Sequence, residues 1–304
     1  MSPPLDGTLV ELPWEEGPLL ERSGPVVIRQ LPPPWYAGPL ASLDLETTGR
    51  GPASDRILAV ALYRQEPDRA PEPVVDTLVD PGPEVEIPEA AAAVHGITRE
   101  RLEQEGAPPL AETLAEVHAA LCELAAEGVG VVIYNAPFDW PFLAAELARL
   151  DPPHALPACR LIDPLVLDRL VDRYRKGKRT LEAACEIYGV ELTDAHEAGA
   201  DALASLGVAR AIGRRYPEVG ELSLDELQTV QVEAHRTWRD GFNAYLRRIG
   251  ADRAPVTGTW PGTAPDTPDT RGATADDATA PDTPDTRGAA DEPRGPYGTS
   301  TSAR

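Results

Sequence analysis

Three short stretches of this 304-residue chain hold acids and a histidine at spacings that chemistry can use. Asp44-Leu45-Glu46 ends an apolar run, and on an extended strand side chains two apart point to the same face. Two carboxylates then share one small volume. That is costly unless a cation joins them, so a divalent metal is the economical reading. A solvated strand end is the plainer one, because so acidic a chain contains such a triplet by chance. Asp139 closes Tyr134-Asn135-Ala136-Pro137-Phe138-Asp139, near a helix start, where the helix dipole and a metal both favour a carboxylate. A simple helix cap explains it as well. In His196-Glu-Ala-Gly-Ala-Asp201 the histidine precedes a helix and the aspartate lies in its first turns. An imidazole so close to a metal-ligating carboxylate can take a proton from a metal-bound water, although a histidine alone more often packs or faces solvent.

The elements that must gather these stretches are legible. Leu40 to Leu45, Ile57 to Tyr63 and Val74 to Val79 are apolar or β-branched runs separated by Gly, Pro and Asp, and read as a meander. Leu110, Leu114, Val117, Leu121 and Leu124 recur at helical spacing, Gly128 and Gly130 end that helix, and Val131-Val132-Ile133-Tyr134 reads as a buried strand. A helix over Trp140 to Leu150 leads to a last strand at Cys159 to Ile162. There Asp163-Pro164 offers an N-cap and a proline suited to the first helical turn. Helices run on to residue 249. The last opens with a capping box, Ser223-x-x-Glu226, and carries an apolar stripe through Leu227, Val230, Ala234, Trp238, Tyr245 and Ile249. Strands followed by helices predict an α/β layer structure.

Composition bounds the rest. The chain is 42 % hydrophobic and 26 % charged, which suits a globular protein with room for a sizeable core. No window is apolar enough to span a membrane and no secretory leader is read at the start. Cys122, Cys159 and Cys185 form neither a disulfide framework nor a Cys-x-x-Cys site, which points to a reducing, cytoplasmic setting. A net charge of −22 excludes a surface that is wholly polycationic for duplex binding. Residues 1–38 carry eight prolines and read as an extended lead-in, with Val26-Val27-Ile28 a candidate edge strand. Residues 251–304 hold eight prolines and eleven threonines but no Leu, Ile, Phe or Met, and repeat one decapeptide at 264–273 and 280–289, so a disordered tail is expected. Between them lie a domain over 39–218 and a C-terminal helix over 219–250, packed on the domain or extending it. One basic strip, Arg169, Arg173, Arg175, Lys176, Lys178 and Arg179 against Asp172, could guide a phosphate backbone or be an ordinary solvated loop.

Taken together, the motifs resemble the DEDDh exonucleases, the family of the proofreading subunit of bacterial replicative DNA polymerase. Asp44-x-Glu46-Thr-Thr-Gly matches the family's first motif, Asn135-x-x-Phe138-Asp139 its second and His196-x4-Asp201 its third. Val94-His95-Gly96-Ile97-Thr98 resembles the segment that lies over the terminal nucleotide. The departure is Tyr134, where many members have histidine, and it bears on substrate packing rather than on metal binding.

The resemblance implies an α/β, ribonuclease-H-like sheet of five strands, an antiparallel meander plus two parallel strands, flanked by helices. It implies a 3′-to-5′ exonuclease working on single-stranded or frayed DNA ends with two Mg²⁺ or Mn²⁺ ions. Asp44, Glu46 and Asp201 would hold one ion, Asp44 and Asp139 would position the second, and His196 would be the general base. Thr47, His95, Asn135 and Phe138 would grip the last sugar and base. Two alternatives stay open: an RNA-trimming enzyme of the ribonuclease T or oligoribonuclease sort, and a non-catalytic adaptor of a DNA polymerase complex. Proofreading, repair and nucleotide recycling are not separated. Because the chain is so acidic, weak, strongly salt-dependent and distributive digestion is expected unless a partner tethers it.

Overall fold

The computed structural model describes residues 33–193 and 195–262. Five strands form one sheet: β1 (Leu40–Thr47), β2 (Ile57–Gln65), β3 (Glu72–Leu78), β4 (Gly130–Val132) and β5 (Arg160–Ile162). Their order is β3-β2-β1-β4-β5. β2 is antiparallel to both β1 and β3, whereas β4 runs parallel to β1 and β5. The antiparallel meander and the two parallel strands are therefore present as the sequence predicts.

Nine helices are described: α1 (Glu89–His95), α2 (Arg99–Glu105), α3 (Leu110–Glu127), α4 (Ala136–Ala148), α5 (Pro164–Val171), α6 (Leu181–Tyr188), α7 (Ala198–Arg215), α8 (Pro217–Gly220) and α9 (Leu224–Ile249). They cover both faces of the sheet, which is why its inner strands read as unbroken apolar runs. Ala41, Leu43 and Leu45 of β1 pack with Leu114, Val117 and Leu121 of α3 and Phe142 and Leu143 of α4. On the opposite face Leu40 packs with Val132, Ile162 and the alanine-rich side of α7 at Ala204, Val208 and Ala209. The small residues of α7 let it lie close to β1 and β2. A Cβ on Gly199 would stand 2.9 Å from Asp76 and 3.2 Å from the Tyr63 hydroxyl, tighter than ordinary contact.

Several boundaries differ from the sequence reading for identifiable reasons. α4 starts at Ala136 rather than Trp140, because Pro137 fits a first turn and Asp163 accepts hydrogen bonds from the N–H groups of Asn135 and Ala136. α1 and α2 lack the length that makes a periodic pattern visible; left-handed glycines, Gly96 and Gly106, end them. α9 buries Leu227, Gln231, His235, Phe242 and Leu246, while Ile249, placed on the apolar stripe, is exposed. The face is turned because two glutamines serve the edge of the sheet. Gln231 accepts from the Asp163 N–H (2.6 Å) and donates to the Leu161 carbonyl (2.9 Å), and Gln228 bonds both the N–H (3.0 Å) and the carbonyl (2.7 Å) of Leu161. Polar side chains thus satisfy an edge strand that would otherwise offer open backbone groups.

Both flanks also reach further into the fold than their composition suggests. Trp35 is buried and donates its indole N–H to the Val219 carbonyl (2.9 Å), so the folded part starts ahead of residue 39. Residues 251–262, assigned to the tail, lie along the domain instead: Trp260 is 5 % exposed and belongs to the main core. The Val26-Val27-Ile28 strand and the decapeptide repeat lie outside the described residues. Among the described residues no helix is long and apolar enough to cross a membrane.

Candidate active site

The inner register of β1 aims two carboxylates at α7. Even-numbered residues face that helix, so Leu40 and Ser42 are followed on the same side by Asp44 and Glu46. Asp201 sits in the first turn of α7 and meets them. One oxygen from each of Asp44, Glu46 and Asp201 lies within 4.8 Å of the others. Asp139 comes from the first turn of α4 beside them, 3 % exposed, and its Oδ1 accepts from the Leu45 N–H at 3.2 Å.

Burial raises the pKa of every one of these acids, and repulsion from the others adds to it for Asp44, Glu46 and Asp139. Asp44 is held well above the usual carboxylate range by burial and then by Asp139, Asp201 and Glu46. Burial, then Asp201 and Asp139, push Glu46 up to about 8. Asp201 rises to about 6 through burial, with His196 pulling the other way, and Asp139 is raised mainly by burial. Asp201 Oδ1 is buried and has no hydrogen-bond partner. An orphaned carboxylate oxygen among like charges fits a hard divalent cation, which takes oxygen ligands.

The protonation has a measurable consequence. With metal chelated, the folded chain holds a proton on Glu46 between its ordinary 4.5 and about 8, while the unfolded chain has lost it. The folded state binds more protons in that window, so stability falls as the pH rises through it. Melting in EDTA is therefore lower near pH 8 than near pH 5, and added Mg²⁺ raises it more at the higher pH, because the ion competes with protons for the carboxylates. Glu46→Gln flattens that dependence; an unchanged slope in the variant would remove Glu46 as its source.

A cleft opens over the acids, lined also by Asn135, Phe138, Arg179, Thr180, Glu182 and His196. Asn135 adopts φ 65°, a left-handed backbone that asparagine tolerates, and its amide caps nothing at the head of α4. Phe138 packs on Phe142 with ring centroids 5.2 Å apart. His196 also has a positive φ, 70°; its backbone N–H donates to Asp201 Oδ2 at 3.4 Å and its side chain is 48 % exposed at the rim. Its Nε2 stands 3.9 Å from Glu182 Oε1.

Thr47 and His95 are the other two residues expected to grip the last sugar and base. Both are buried and neither lines the cleft. His95 Nδ1 accepts from the Ile97 N–H (3.1 Å) and its Nε2 bonds the Thr47 carbonyl (3.2 Å), so both ring nitrogens are committed to backbone; burial lowers its pKa, which favours the neutral ring. The Thr47 hydroxyl donates to the Gly49 carbonyl at 2.6 Å. The pair ties the end of β1 to α1.

Sequence reasoning missed the support beneath α4. Asp163 is fully buried, and its carboxylate accepts from the N–H groups of Asn135, Ala136, Leu165 and Val166 at 3.0–3.3 Å and from the Trp260 indole at 3.1 Å. One side chain therefore caps α5, anchors the head of α4 and holds residues 251–262. Its N-cap role was visible from Asp-Pro; the other two need the fold. The basic strip divides as well. Arg175 and Arg179 turn inward to Asp168, and Arg169 lies 3.7 Å over the Trp238 ring, whereas Arg173, Lys176 and Lys178 stay exposed.

A DNA polymerase III subunit epsilon-like protein of Rhodobacter capsulatus is 32 % identical over 200 residues, covering 64 % of this chain and 26 % of that protein. A solved structure of exonuclease I superposes with a TM-score of 0.51 at 22 % identity, over 63 % of this chain and 43 % of its own, a likeness of fold. The chain thus spans about a quarter of the first and less than half of the second. Residues 42–209, which contain all four acids and His196, match the exonuclease family RNase_T over more than half of the chain, and the protein belongs to that family.

Proposed function

We propose that the chain is a divalent-metal-dependent 3′-to-5′ exonuclease that removes nucleoside 5′-monophosphates from single-stranded or frayed DNA ends. The observation that carries this reading is the cluster of Asp44, Glu46 and Asp201 within 4.8 Å, with Asp201 Oδ1 unpartnered, at the floor of an open cleft. Asp44, Glu46 and Asp201 would hold one Mg²⁺ or Mn²⁺, and Asp44 with Asp139 a second. Bound there, such ions neutralise phosphate charge and make water a nucleophile near neutral pH.

The remaining work belongs to the protein's own groups. Phe138 offers an apolar face to the terminal base and the Asn135 amide a hydrogen bond to the terminal nucleotide. His196, whose Nε2 stands 3.9 Å from Glu182 Oε1, accepts the proton of the attacking water on its ring. His95 and Thr47 act as positioning groups that fix the strand end carrying Glu46.

A 5′-labelled single-stranded DNA oligomer and an RNA oligomer of the same sequence, each incubated with Mg²⁺, Mn²⁺ or EDTA, test the proposal. The expected result is a metal-dependent ladder receding from the 3′ end, with the faster oligomer identifying the preferred sugar. Digestion from the 5′ end would overturn the polarity. No digestion of either oligomer in either metal would overturn the catalytic reading in favour of an adaptor.

A further inference from the structure

The loop over residues 172–180, between α5 and α6, is built more firmly than a solvated connection needs. Asp168 at its base has no exposed surface, and its Oδ2 lies 2.5 Å from both Arg175 Nη2 and Arg179 Nη1. Tyr188 donates to the other oxygen at 2.8 Å. Arg179 also donates to the carbonyls of Asp168, Asp172 and Arg175, and Tyr134 donates to the Arg179 carbonyl at 2.8 Å. What this scaffold presents is unusual for the chain. Tyr174 is 80 % exposed, more than any other exposed large apolar side chain of the described residues. Arg173, Lys176 and Lys178 flank it in sequence, exposed and in no ion pair among the described residues, on a protein of net charge −22. The Arg173 guanidinium stands 5.8 Å from the tyrosine ring. At its far end the loop runs into Arg179 and Thr180, which line the cleft.

We propose that this loop seats the single strand upstream of the bond being cut, Tyr174 stacking on a base while Arg173, Lys176 and Lys178 contact phosphates. An exposed ring flanked in sequence by cations, on a braced loop that ends in the cleft lining, is the pairing that unspecific single-strand binding uses. The loop places three exposed cations within six residues, so affinity depends on it and on salt. The inference rests on the nuclease reading of the neighbouring cleft.

The test compares wild type, Tyr174→Ala and the Arg173→Ala/Lys176→Ala/Lys178→Ala triple variant on oligothymidylate, on oligouridylate and on the nitrophenyl ester of thymidine 5′-monophosphate, which is too short to reach the loop. In Tyr174→Ala the ratio of kcat/KM for an oligomer over that for the ester falls about tenfold, through KM. In the triple variant the slope of log(kcat/KM) against log salt becomes shallower by about 2, the value for three single-strand phosphate contacts. Wild-type cleavage of both substrate classes with neither change in the variants would overturn the proposal. If wild type cuts nothing, the nuclease reading fails by itself, and the loop is judged by fluorescence anisotropy of the labelled oligomers in EDTA. There an unweakened variant, or competition by poly-glutamate as strong as by unlabelled oligomer, overturns it.

Discussion

Asp44→Asn is expected to lower oligomer hydrolysis by at least about 10³-fold while making the metal-free protein more stable. Asp44 is the carboxylate that borders the other three, and burial with those neighbours holds its pKa well above the usual range. Losing its charge removes cation binding worth several kcal/mol in the transition state, and each 1.36 kcal/mol is about a factor of ten in rate. In the metal-free protein the same charge is a burden, because four acids crowd one buried volume without a partner ion. Asparagine keeps the shape and removes the repulsion. For a domain of this size each kcal/mol so relieved raises the melting temperature by about 2–4 °C. Thermal melts in EDTA and in Mg²⁺ check both halves: the variant should melt above wild type in EDTA and gain little from Mg²⁺. A variant that melts lower in EDTA, or that Mg²⁺ stabilises as much as wild type, would show that Asp44 is not where charge and metal are traded.

Asp163→Ala is expected to be the most destabilising of the single changes considered, by about 4–5 kcal/mol, in the range reserved for loss of a buried network. Four backbone N–H groups and the Trp260 indole lose their acceptor at once. A lost cap costs about 1 kcal/mol, and each buried donor left unsatisfied costs about 1–3 kcal/mol unless water reaches it. Trp260→Phe, which removes one donor and keeps the apolar bulk, should cost only about 1 kcal/mol. Denaturant unfolding of the two variants separates the contributions. Similar losses in both would mean that the carboxylate serves Trp260 alone and that α4 does not depend on it. Because Asn135, Phe138 and Asp139 stand on the head of α4, the Asp163 variant should also lose activity under conditions where it remains folded.

The legible part of this protein was the part governed by local rules. The same-face spacing of Asp44 and Glu46 and the Asp-Pro and Ser-x-x-Glu caps are written in neighbouring residues, and the fold keeps them. What sequence did not reveal depends on contacts between distant segments. Gln231 reads as a polar break in an apolar stripe until the edge of β5 is beside it. Trp260 is one aromatic in a stretch whose composition argues for disorder, yet a buried indole with a carboxylate acceptor is enough to fix it. Two of the six cations of the basic strip, Arg175 and Arg179, turned inward because Asp168, itself within an apolar helix face, was there to receive them. His95 carries the right residue type for a substrate contact, and its bonds to the backbone of Thr47 and Ile97 are visible only in the fold.

Trp35, α9 and Trp260 all lie outside residues 42–209, the stretch that carries every motif. Yet one closes over α7 and α8, one seals the β5 edge, and the third holds the carboxylate on which α4 begins. The segment by which this protein is recognised is therefore smaller than the segment by which it folds. A shortened chain ending at the last motif would keep the four acids and His196 yet lose the partner of Trp35, the helix that seals the β5 edge and the indole that holds Asp163.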